Sequence, residues 1–232
     1  MKLRFFGAIS LLIWCATVLI CGSCGFHNAS TQDVSTTKQL TAADYPCQEY
    51  DPARVRHINT LFPTKMLKNW TDQSSIEARD QALSGIPDRY LAHLAELHKE
   101  YGFTISATPG NGGGVAFYPQ YIEVSENVHA IQLVMQHEVG HILQYFVEDH
   151  AEDFSFSEDF KASADENFDN PELNRYPRSY GRHNPTYYKE YWAEAFNSFY
   201  CAPLTNQLLE QQFPSTYDLL KKNVLPPVWP AQ

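Results

Sequence analysis

Basic residues and cysteine are both scarce in this 232-residue chain, and each scarcity removes a class of function. Lysine and arginine total 17 against 27 Asp and Glu, a formal charge of −10, which excludes a nonspecific nucleic-acid binder held by phosphate contacts. Of five cysteines, Cys15, Cys21 and Cys24 crowd the N-terminus, so only Cys47 and Cys201 remain for a folded domain. Neither has a CxxC partner, which argues against a cysteine-held metal. No internal repeat appears, and the regular oxygen spacing of a calcium loop is missing, so no calcium ion is expected.

What the chain does contain is His137-Glu138-Val139-Gly140-His141, the HExxH pattern of zinc peptidases. On a helix, residues four apart stand one turn above each other, so both imidazoles can reach one metal while Glu138 leans over it. Val128, Ile131, Met135, Val139, Ile142 and Phe146 recur at three- and four-residue steps, which predicts a buried helix with Asn127 as its N-cap. His137 and His141 lie beside that stripe. As plain core histidines each would need its own hydrogen-bond partners, whereas one shared zinc satisfies both.

A catalytic zinc takes three protein ligands and leaves a position for water. The continuation HExxHxxGxxH is absent, because Gln144 and Val147 stand where Gly and His would be. The third ligand is therefore sought on a second helix, predicted from the cap residue Asn184 and Pro185 to about Cys201. Glu190 and Glu194 share one face of it among Tyr188, Tyr191, Trp192, Ala195, Phe196 and Phe199. Glu190 fits a metal ligand and Glu194 an acceptor for a ligand histidine N–H; a solvated charge near the helix start is the alternative for Glu190.

Taken together, HEVGH, the segment Glu190-Tyr191-Trp192-Ala193-Glu194-Ala195-Phe196 about 50 residues later, and Phe213-Pro214-Ser215-Thr216-Tyr217 resemble the catalytic domain of anthrax lethal factor and the related Pro-Pro endopeptidases. Ile86-Pro87 opening a helix that ends at Gly102, then strand-like Phe103-Thr104-Ile105, is similar as well, so the resemblance covers roughly residues 80 to 222. It implies an α+β zincin-like domain of gluzincin type. One Zn²⁺ would be held by His137, His141 and Glu190, with Glu138 as general base and Glu194 in support. The family also places a tyrosine seven residues before its glutamate ligand to stabilise the oxyanion, and here His183 occupies that spacing. Tyr180, within Ser179-Tyr180-Gly181-Arg182, matches the family's context with a short insertion after it; either residue can donate to an oxyanion. Tyr176, Tyr187 and Tyr188 read as ordinary aromatics of the neighbourhood.

Upstream of the motif, glycines bound the β-prone runs Val115-Ala116-Phe117 and Tyr121-Ile122-Glu123-Val124, which predicts a hairpin or adjacent strands. Gly114, Val115, Ala116 and Phe117 are candidate peptide contacts along such an edge; an ordinary turn is the alternative. Helical periodicity covers Leu204 to Phe213 and Thr216 to Val224, split by Pro214 and ended by Pro226-Pro227. Ten Asp or Glu residues lie between Glu148 and Glu172 with only Lys161 among them, a pattern read most simply as a solvated loop.

The N-terminus carries Lys2 and Arg4 ahead of an apolar run from Phe5 to Ile20, followed by small residues, an export signal. It resembles a bacterial lipoprotein signal with Cys24 as the lipidated residue, although Cys21 stands where leucine is preferred; plain secretion is the alternative. Residues 1–23 would then be removed, 24–44 would form a Ser- and Thr-rich tether, and 45–232 the peptidase domain. Once exported, Cys47 and Cys201 can form a disulfide. The expectation is a monomeric, membrane-anchored enzyme acting on peptide or protein substrates. A surface lipoprotein that uses the same fold only to bind a protein is the competing class, and Glu138 argues against it, since binding needs no base.

Overall fold

The computed structural model describes residues 52–110, 113–147, 152–170 and 176–229. The proposed signal, Cys24, the tether and Cys47 lie outside the described residues. Among those described, no helix is long and apolar enough to cross a membrane.

The chain opens with α1 (Pro52–Leu61) and the two-residue strand β1 (Leu67–Lys68), then α2 (Gln73–Ser84) and α3 (Asp88–Tyr101). Asp72 caps α2 by accepting from the Ser75 N–H at 2.9 Å. Gly102 ends α3 in the left-handed region at φ 74°, where a Cβ would be strained. Three more strands follow: β2 (Thr104–Thr108), β3 (Gly114–Phe117) and β4 (Tyr121–Ser125).

The sheet order is β1-β2-β4-β3. β1 and β4 both run parallel to β2, while β3 pairs antiparallel with β4 from Gly114 opposite Val124 to Phe117 opposite Tyr121. Ile105 and Ala107 of β2 and Ile122 and Val124 of β4 are buried, whereas Val115 and Phe117 of β3 are 46% and 57% exposed. β3 is thus a solvent-facing edge strand. The two β-prone runs expected to lie side by side do so.

Helix α4 (Val128–Leu143) lies against this sheet and carries the HExxH motif. Ile131, Met135, Val139 and Ile142 are fully buried as the periodicity required. Two members of the expected stripe differ: Val128 is 38% exposed in the first turn, and Phe146 falls beyond the helix end. The helix stops at Leu143 because the chain turns there, and Phe146 instead stacks on His93 with ring centroids 3.8 Å apart.

The acidic stretch is not simply a solvated loop. Its residues Glu158–Glu166 form α5, capped by Ser157, and Phe160, Ser163 and Ala164 of that helix are buried. Acidic residues take the exposed face while these few apolar positions dock it. α6 (Pro185–Tyr200) begins as predicted, with Asn184 accepting from the Thr186 N–H at 2.9 Å and proline at its first position. α7 (Pro203–Gln212) and α8 (Pro214–Asn223) complete the fold on either side of Phe213. α4 packs against α2, α6 and the sheet, so the motif helix sits at the centre of the core.

Candidate metal centre and active-site cleft

The site depends on how closely α4 and α6 approach. A Cβ at Gly140 would lie 3.2 Å from Ala193 Cα and 3.2 Å from Phe196 Cβ, so the two helices meet nearly backbone to backbone. Trp192, fully buried, donates its indole N–H to the Gly140 carbonyl at 2.7 Å and fixes the crossing. On α4, the buried Gln136 amide donates to the Ala82 and Tyr200 carbonyls, which ties α4 to α2 and to the end of α6. With Tyr187, Tyr191, Trp192, Ala195 and Phe196 turned into the core, Glu190 and Glu194 are left facing the histidines.

The ligand geometry follows from that crossing. His137 Nε2 lies 3.1 Å from His141 Nε2 and 3.2 Å from Glu190 Oε2, and His141 Nε2 lies 3.5 Å from the same oxygen. Donor atoms about 2.0–2.1 Å from a tetrahedral zinc are about 3.3 Å apart, so the three edges match that ion. All three ligand atoms lie within 4.8 Å of one another, and the trio forms a possible metal site. Glu194 Oε1 stands 3.4 Å from His137 Nδ1, on the far side of the ring. This is where a carboxylate orients a ligand imidazole and fixes its tautomer.

Electrostatics favour the same reading. Burial alone would lower the His137 pKa, but the Glu194 and Glu190 carboxylates outweigh it and push it up to about 10. Burial would raise Glu190, yet His137 and His141 draw it down to about 2. Without metal the group is a cation facing acids; a divalent ion held by His137, His141 and Glu190 would take the place of that proton. Glu138 behaves differently: burial raises its pKa, only partly offset by the two histidines. A carboxylate moved upward is better matched to taking a proton near neutral pH.

These residues lie in a cleft of about 740 Å³. α4 supplies its floor, residues 113–118 one wall, and Thr186, Lys189, Glu190 and Glu194 of α6 the other. Gly114, Val115, Ala116 and Phe117 all line it. A Cβ on Gly114 would meet Glu138 Oε1 at 2.7 Å, so glycine there lets the edge strand close over the carboxylate. None of the described acidic residues between 152 and 170 is among those lining the cleft.

The residue that sequence reasoning passed over is Tyr176. It lines the cleft, and its hydroxyl is 2.7 Å from that of Tyr180, which does not line it. The hydrogen bond to Tyr180, followed by burial and the Glu190 charge, raises the Tyr176 pKa and keeps the phenol protonated. His183 sits apart, with its ring 70% exposed and Nδ1 3.0 Å from Asp165 Oδ2. Tyr187 and Tyr188 belong to the core, not the cleft.

Two histidines and a glutamate at zinc spacing, with a second glutamate poised over them in a cleft, are the apparatus of a metallopeptidase. Residues 35–223 match the family described as "Anthrax toxin lethal factor, N- and C-terminal domain", and the chain belongs to this family of lethal-factor-like zinc metallopeptidases. Among solved structures, the chain is similar to the Pro-Pro endopeptidase of Paenibacillus alvei, with 17% identity over 71% of this chain and 97% of that one and a TM-score of 0.48. No protein with a curated description matches.

Proposed function

We propose that the protein is an exported endopeptidase dependent on a single Zn²⁺ held by His137, His141 and Glu190, a gluzincin-type arrangement. The observation that carries this reading is the spacing of the three donor atoms at 3.1, 3.2 and 3.5 Å, the edges of one coordination sphere. A zinc ion bound there would lower the pKa of a bound water toward ~7 and polarise a peptide carbonyl. Glu138 takes the proton of the attacking water and returns it to the leaving amine. Glu194 holds His137 in place through Nδ1. The Tyr176 hydroxyl turns its one proton from Tyr180 to the developing oxyanion, and Tyr180 then orients it by donating to the Tyr176 oxygen. An extended peptide pairs with the edge of β3 that no described strand occupies, from Gly114 to Phe117.

The decisive experiment is cleavage of a diverse peptide library, including proline-containing members, by the purified protein with zinc, with chelator, and as Glu138→Ala. Cleavage lost under both perturbations supports the peptidase; a folded, zinc-loaded protein that cuts nothing removes it.

Export and anchoring belong to the same proposal. They rest on the apolar run Phe5–Ile20 after Lys2 and Arg4, and on Cys24 after Gly22-Ser23. Metabolic labelling with a fatty-acid analogue should mark the wild-type chain and leave Cys24→Ala unmarked; an unlabelled wild type would indicate plain secretion. A Cys47–Cys201 disulfide would pin the domain's start beside the end of α6, where Cys201 is buried. Mass mapping without reductant should recover the two peptides as one.

A further inference from the structure

The segment that brings Tyr176 and Tyr180 to the cleft has little core of its own to hold it. Across residues 176–184 only Pro177 is buried, and the chain passes through the left-handed region at Gly181 (φ 85°) and again at His183 (φ 65°). A non-glycine residue stays in that conformation only where its surroundings impose it. The side chains that do so come from the end of α5, in the acidic stretch that stays clear of the cleft.

α5 is itself well fixed. The Ser163 hydroxyl lies 2.8 Å from that of Thr216 on α8, and Tyr187 of α6 donates to the Ala164 carbonyl. From this support three side chains reach the tyrosine segment. Asp165 Oδ2 accepts from the Tyr188 hydroxyl at 3.0 Å and lies 3.0 Å from His183 Nδ1, so α6 and the segment share one oxygen. Phe168 packs edge-on against Tyr187 with centroids 5.2 Å apart, and the guanidinium carbons of Arg182 and Arg178 stand 4.7 and 5.8 Å from its ring centre. Asp169 meets both cations: Oδ2 accepts from Arg182 at 3.1 Å, and Oδ1 lies 3.9 Å from an Arg178 nitrogen. Exposed ion pairs are weak one at a time. Here two share a carboxylate and a ring, and with His183 they bracket the turn Pro177–Tyr180.

We propose that Asp165 and Asp169 are positioning residues, which act through His183, Arg182 and Arg178 to hold residues 176–183 so that Tyr176 is presented to the cleft, a role that rests on the reading of Tyr176 as the oxyanion donor. Neither carboxylate lines the cleft. With an anchor removed, the tyrosine spends less time where the oxyanion forms, while zinc and substrate keep their own contacts. The loss therefore falls on kcat more than on KM. His183, in this arrangement, serves as an anchor and not as a donor.

The test measures kcat, KM and bound zinc for the zinc-loaded full-length protein on a peptide that the wild type cuts, as wild type, Asp165→Asn, Asp169→Ala and Asp169→Glu, each with and without Tyr176→Phe. Asp169 is 78% exposed, so its replacement leaves the core intact. Asp165→Asn and Asp169→Ala should each lower kcat by about 10-fold, a part of the roughly 10²–10³-fold lost with the donor itself, while KM and zinc content hold. Asp169→Glu keeps the charge and should recover most of the rate. In the Tyr176→Phe background the same substitutions should change kcat by about twofold or less, because the group they position is gone. Hydrogen exchange should quicken across 176–183 in both anchor variants and stay slow in α4. Anchor variants with wild-type kcat, or with the same loss whether or not the Tyr176 hydroxyl is present, overturn the inference and leave Tyr176 as donor. Wild-type kcat in Tyr176→Phe removes the donor reading and the inference together, as does a wild type that cuts no peptide.

Discussion

At the scale of single residues, proton and metal compete for the same atoms. His137 in the metal-free protein holds its proton up to about 10, so zinc must displace it throughout the neutral range. The apparent zinc affinity should therefore rise roughly tenfold per pH unit between about pH 6 and 8, measurable by competition with a chromogenic chelator. Metal-free stability follows from the two opposed shifts. The raised His137 contributes fully below 6.5 and fades as pH climbs toward about 10. The lowered Glu190 contributes above 4.5 and fades as pH falls toward about 2. Denaturation of the chelated protein should show its maximum contribution from this pair between those ordinary values. For the proposed oxyanion donor, Tyr176→Phe should lower kcat by roughly 10²–10³-fold, with Tyr180→Phe smaller if it acts through its neighbour. Equal effects of the two variants, or a larger one at Tyr180, would move the donor role to Tyr180.

At the scale of elements, glycines set the clearances on which the site depends. Gly140→Ala inserts a methyl between α4 and α6 where backbone and a buried phenylalanine stand 3.2 Å away. Overpacking of that kind costs about 1–3 kcal/mol in chemical denaturation, and by separating the helices it should also weaken zinc binding. Gly114→Ala meets only the flexible end of Glu138, so the carboxylate moves instead of the fold. Stability and zinc content should hold while kcat/KM drops, on the order of 10²-fold for a base displaced by an ångström.

The same elements show what a reader of the sequence could see. His137, Glu138, His141, Glu190 and Glu194 were legible because helical spacing alone places each pair on one face. The cap and proline of α6 and the closing glycine of α3 were legible because those signals are local. Tyr176 was not, since a loop residue enters the cleft through tertiary placement and leaves no period. α2 left no apolar stripe either: its buried face includes Ser75, the adjacent Arg79 and Asp80, and Ser84, polar groups compatible with burial only after folding pairs them. α5 was hidden because its acidic majority outweighs the few residues that dock it.

At the scale of the whole molecule, the metal site joins α4 to α6 across the centre of the core, so ligand binding and folding are linked. Zinc held as proposed by His137, His141 and Glu190 would bind only their folded arrangement, and at a free concentration 100 times its Kd it should add about 2.7 kcal/mol of stability. Calorimetry before and after chelation should show a lower melting temperature for the stripped protein. An unchanged temperature would mean that the three donors bind no ion.

The proposed docking edge is also very short. Its four residues, Gly114–Phe117, span roughly 13 Å at strand rise, enough to register about four residues of an incoming chain. Recognition is thereby confined to a brief word of sequence, and longer targets must present that word in an unfolded or looped stretch. Brevity has a second effect, because so small an open border is a poor template for another copy of the protein. The strand can greet passing chains without gathering its own kind into aggregates.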